Sequence, residues 1–68
     1  MYDIDIMVCS SNYWLALYKR NRCWQFSLYF PEQKVYCNTD DLCYSTRLVC
    51  LNSGKQVAEE FLRKIAEM

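Results

Sequence analysis

Histidine is absent from this chain, and glycine and proline occur once each among its 68 residues. The missing imidazole removes at once the commonest general base, the commonest metal ligand and the usual physiological-pH switch. The scarcity of Gly and Pro, alongside 53% hydrophobic and 24% charged residues, excludes a disordered or low-complexity chain. Also lacking are any C-x-x-C pair, any apolar run of membrane-spanning length, and a basic start to the N-terminal segment MYDIDIMV. A cytoplasmic protein with no membrane partner is the expectation.

The five cysteines, Cys9, Cys23, Cys37, Cys43 and Cys50, are odd in number and spaced like neither a disulfide framework nor a zinc site. They are expected to be reduced and to pack as small apolar residues. No Asp, Glu or Lys stands at a recognisable spacing to any thiol, so no enzyme activity is expected, and no cofactor, metal or small-molecule substrate. Asp3-x-Asp5 and Asp40-Asp41 lack the ligand number and turn glycine of a calcium loop, and read instead as a strand's polar side and a polar loop. A chain of this length makes one domain, residues 1–68, with a small core. Small domains supplement such a core with disulfides, a metal or self-association. Of these, self-association is left.

Hydrophobic periodicity predicts an α+β fold: an antiparallel sheet of four to five strands with one C-terminal helix on one face. Residues 2–9 alternate, with Tyr2, Ile4, Ile6 and Val8 on one side. Residues 13–19 and 23–30 read as a hairpin around a polar tip, and 34–38 as a fourth strand after a turn at Pro31, with Val35 and Cys37 toward the core if the loop spans residues 31–34. An odd-length hairpin loop would set Lys19 opposite Cys23, Ala16 opposite Phe26 and Trp14 opposite Leu28, which places Trp14 on the core side. The stretch from Leu42 to Leu51 is open between two readings, since residues 46–51 fit a short buried strand while Leu42, Thr46 and Val49 fit one side of a helix; the strand is preferred. Ser53 and Gln56 have capping-box spacing, which predicts a helix over residues 54–67 with Val57, Ala58, Phe61, Leu62, Ile65 and Ala66 as its apolar stripe.

One helix covers one side of such a sheet. By parity the side facing away from it carries Met7, Tyr13, Leu15, Leu17, Tyr29 and Tyr36, too apolar for a simple solvated surface. These six are the candidate protein interface, and the expected function is a small noncatalytic interaction module, accessory or regulatory, that forms a homodimer or binds a protein partner through that face. The alternative is a nucleic-acid-binding domain. Lys19, Arg20 and Arg22 cluster at the hairpin tip and Lys34 follows the next strand, and a basic β-ribbon can grip phosphates. In topology the arrangement resembles the small β-sheet DNA-binding domains of plant transcription factors and phage integrase arms, which implies the same use of the sheet. A formal net charge of zero weighs against nonspecific affinity for nucleic acid.

Overall fold

The structure, a computed structural model, describes residues 4–39 and 42–67. Four strands, β1 (Ile4–Cys9), β2 (Trp14–Arg20), β3 (Cys23–Phe30) and β4 (Val35–Asn38), precede one helix, α1 (Arg47–Ala66). The strands form a single antiparallel sheet in the order β1-β2-β3-β4, so the expected α+β arrangement is present. Tyr2, Asp3, Asp40 and Asp41, which entered the expectations for the first strand and for a polar loop, lie outside the described residues.

Turn chemistry sets the register, and it corrects one expectation. The β2–β3 connection is two residues long, with Asn21 at φ 50 and Arg22 at φ 68, both left-handed. This is the geometry whose twist matches that of the flanking strands. Arg20 therefore pairs with Cys23, Lys19 with Trp24, Leu17 with Phe26 and Leu15 with Leu28. The odd-length loop is overturned, and a one-residue change of register sends every β2 side chain to the other face. At the next turn the expectation holds: Lys34 N–H donates to the Phe30 carbonyl at 2.7 Å, Val35 pairs with Phe30, and Cys37 pairs with Leu28 on the core side.

A second correction falls in β1. Ile4 pairs with Tyr18 but Ile6 pairs with Leu17, so the register shifts between them. A bulge of this kind spends one extra residue and breaks the alternation. Ile6 and Val8 consequently pack against the core, while Ile4 lies on the opposite face, 55% exposed.

The helix begins earlier than its capping-box signal. Thr46 is the N-cap, its Oγ1 accepting from the Val49 N–H at 3.2 Å, so residues expected as a fifth strand, 46–51, are the cap and first turns of α1. Extended chain ends just before, where Trp24 and Tyr44 exchange backbone hydrogen bonds of 3.0 and 3.1 Å. Cys50, Gly54 and Ala58, spaced four apart, form the buried line of the helix. Their small size brings the axis close to the sheet: a Cβ on Gly54 would lie 2.8 Å from Leu15 Cδ1. Under them Leu15, Leu17, Phe26, Leu28 and Phe30 make the core, with Phe61 stacked 4.3 Å from Phe30.

Cys23 and Cys43 are joined by a disulfide, with Cα atoms 4.8 Å apart. The expectation of five reduced cysteines is thus corrected for two of them, while Cys9, Cys37 and Cys50 are free thiols. Pairing at a separation of 20 residues depends on the Trp24–Tyr44 bridge, which brings the chain before α1 against the start of β3. No helix of the described residues is long and apolar enough to cross a membrane.

Candidate protein-interaction face

The register decides which side chains the helix leaves uncovered. Leu15 and Leu17, two of the six expected interface residues, are 0% exposed beneath α1. Tyr13 also joins the helix side, half-buried against the core with its ring 6.2 Å from Phe30. These three placements correct the parity reading, and the cause is the even-length hairpin loop. Met7, Tyr29 and Tyr36 do lie on the helix-free face, where Met7 pairs with Ala16 and Tyr29 with both Trp14 and Tyr36.

The parity reading missed Ile4 and Trp14. Trp14 had been placed on the core side; it is 48% exposed on the free face, its ring 5.4 Å from Tyr29. Ile4 arrives there through the bulge, a feature with no sequence signal here. Trp14 did have one, since Asn tolerates a left-handed backbone and Asn21 marks a tight turn.

Together Ile4, Met7, Trp14, Tyr18, Tyr29 and Tyr36 surround a concavity of ≈ 380 Å³ floored by the small residues Ala16 and Ser27. A line of hydroxyls crosses it: Tyr36 donates to Ser27 Oγ at 3.2 Å, and Ser27 donates to the Tyr18 hydroxyl at 3.5 Å. At the hairpin-tip end the face closes. Gln25, opposite Tyr18, is buried and its Nε2 donates to the Leu42 carbonyl at 3.0 Å. Thr39 plugs the adjoining edge of β3, with its Oγ1 accepting from the Phe26 N–H at 3.0 Å. The open part of the face is therefore apolar, aromatic-rimmed and confined to the central and β1–β4 side-chain rows.

The basic residues do not gather. Lys19 turns to the helix side, where its Nζ sits 5.8 Å from the Trp24 ring. Arg47 approaches the same ring at 5.3 Å and holds Asp5 at 3.2 Å. Arg20 pairs with Cys23 on the other face, Arg22 occupies the turn, and Lys34 lies at the β3–β4 turn. The eight residues of β3 separate that turn from the hairpin tip, roughly 25 Å at strand rise. Lys19, Arg20, Arg22 and Lys34 thus form no single basic patch.

Burial holds two of the free thiols, Cys37 and Cys50, toward their neutral form. Burial pushes Cys50 up to about 11, and burial also raises Cys37, opposed by a hydrogen bond to the Leu28 backbone. A thiol must lose its proton to act as a nucleophile, so neither is poised for such chemistry at neutral pH. Set beside known proteins, the chain is matched by no family model, no curated protein and no solved structure, which leaves the geometry of the helix-free face to carry the functional argument.

Proposed function

We propose that this chain is a noncatalytic, cytoplasmic interaction module that associates with a second copy of itself through the helix-free face of its sheet. The carrying observation is the gathering of Ile4, Met7, Trp14 and Tyr36, between 48% and 61% exposed, around one concavity on the face that α1 leaves bare. Contiguous apolar surface of this kind tends to mark a contact site, and Tyr, Trp and Met are the side chains enriched at interface centres. A two-fold contact sets the same patch against itself, so the Trp14 and Tyr36 rims of one copy would seat over the Ala16 and Ser27 floor of the other.

Size sets the strength. Four strands at roughly 4.8 Å spacing and about 24 Å of strand length make a face of roughly 450 Å². Stable pairs bury about 800 Å² on each partner, so a contact limited to this face belongs to the weak, reversible class. The expected result is a mass in solution that rises from monomer toward dimer between about 10 μM and about 1 mM. Sedimentation velocity across that range would read it. Met7→Lys combined with Tyr36→Lys alters two exposed positions and should hold the chain monomeric with an unchanged far-UV spectrum. A wild-type mass that stays monomeric throughout, or a dimer indifferent to the double variant, overturns the proposal.

A further inference from the structure

The disulfide ties down a strap. Residues 42–45 lie before the Thr46 cap of α1, along the Trp24 end of β3, and Cys43 lies within that segment. Besides the bond, the contacts on the strap include the Trp24–Tyr44 backbone pair, the Leu42 N–H donating to the Thr39 carbonyl at 2.9 Å, the Gln25 amide on the Leu42 carbonyl, and the Tyr44 ring at 6.0 Å from Phe26. Trp24 and Tyr44 pack against the margin of the core, but neither Cys23 nor Cys43 belongs to the buried cluster of Leu15, Leu17, Phe26, Leu28, Phe30, Cys50 and Ala58. Cys43 is exposed while Cys23 is half-buried, so an outside thiol can reach one sulfur of the pair.

We propose that the Cys23–Cys43 bond is a redox latch, which an external dithiol opens to release residues 42–45 from β3 while the sheet and the Thr46-capped helix stay folded. A thiolate of the dithiol attacks Cys43 Sγ, and the Cys23 sulfur leaves and takes a proton. The second thiol of the reductant, as its thiolate, then attacks the reductant sulfur of the mixed disulfide and frees Cys43, whose sulfur takes a second proton. One S–S bond breaks in the protein and one forms in the reductant, with two electrons passing to the protein. Cutting the link returns loop entropy to the strap, which is then held by few contacts, and the backbone N–H and C=O of Trp24 lose their partners and become an open sheet edge. The device is independent of whether the helix-free face binds anything.

A structural staple is the competing reading, and native-state exchange separates the two. The oxidised chain is treated with a dithiol in the absence of denaturant, then followed by amide hydrogen exchange and far-UV circular dichroism. The Trp24 and Tyr44 amides are expected to exchange at least about tenfold faster, while the Leu17 and Phe26 amides and the helical signal are retained. Disulfide glutathione should restore the slow pattern. The Cys23→Ser, Cys43→Ser double variant should show the open pattern without reductant. The latch is overturned if reduction or the double variant abolishes the helical signal, if the Trp24 and Tyr44 amides exchange unchanged, or if the bond yields only in denaturant.

Discussion

Gly54 lies inside α1, where glycine costs about 1 kcal/mol relative to alanine. It is there because the helix rides close on β2: an added Cβ would meet Leu15 Cδ1 at 2.8 Å, Cδ2 at 3.2 Å and Phe26 Cγ at 3.4 Å. Leu15 is fully buried and has little room to yield. Overpacking costs about 1 to 3 kcal/mol, which outweighs the gain in helix propensity, so Gly54→Ala should lose about 1 kcal/mol in urea denaturation. Leu15→Ala alone should lose about 2 to 5 kcal/mol. Made together, the two changes should cost less than their sum by about 1 kcal/mol, because the new methyl enters the space the leucine vacates. Cys50, four residues before Gly54, supplies a pH effect. Its thiol rises from 9.0 to about 11 on folding because burial disfavours the thiolate. The unfolded chain thus releases this proton first, so the stability contribution is whole below pH 9, declines as pH climbs from 9 toward 11, and is spent above that. The difference in denaturation midpoint between wild type and Cys50→Ala, measured against pH, should narrow across that interval; a difference that stays constant would mean the thiol titrates alike in both states.

The elements show which local signals were readable. The Pro31 turn was legible because proline presets its own φ, and the faces of β4 followed from it. The Asn21-Arg22 turn was harder: asparagine tolerates the left-handed region, but arginine has no such preference and gives no hint that it holds φ 68. Glycine at that position should relieve the strain, so Arg22→Gly is expected to stabilise the chain by about 0.5 to 1 kcal/mol, less any gain in unfolded-state entropy. A rise in thermal midpoint would register it. A fall would mean that the Arg22 side chain contributes more than its backbone costs. The N-terminus of α1 misled for a related reason. Ser53 and Gln56 have the spacing of a capping box, yet they sit within the helix, because Thr46 caps it first and Gly54 beside them serves close packing. Local cap patterns do not report what a neighbouring sheet presses against a helix.

For the whole molecule, the inverted register changes what a substitution in β2 should do. With Leu17 under the helix, Leu17→Lys places an unpaired charge in the core and forfeits apolar burial. A chain of this size has about 3 to 10 kcal/mol of stability in total, and such a change costs a comparable amount, so cooperative unfolding and the helical signal should both be lost. A folded Leu17→Lys monomer would place that side chain at the surface and undo the register described above. The alternating apolar and polar residues of the strands, and the apolar stripe of the terminal helix, were by themselves sufficient for the α+β class of an antiparallel sheet with one C-terminal helix, since that follows from periodicity along the chain; the order β1-β2-β3-β4 is a finding of the structure. Which face the helix covers was settled by one loop residue and one bulge, and the Cys23–Cys43 bond by a contact across 20 residues. Side-chain direction in a strand has a period of two, so a single uncounted residue reverses it; distant cysteines meet only where the folded chain carries them. For those reasons the identity of the exposed face, and the pairing of Cys23 with Cys43, belong to the tertiary structure.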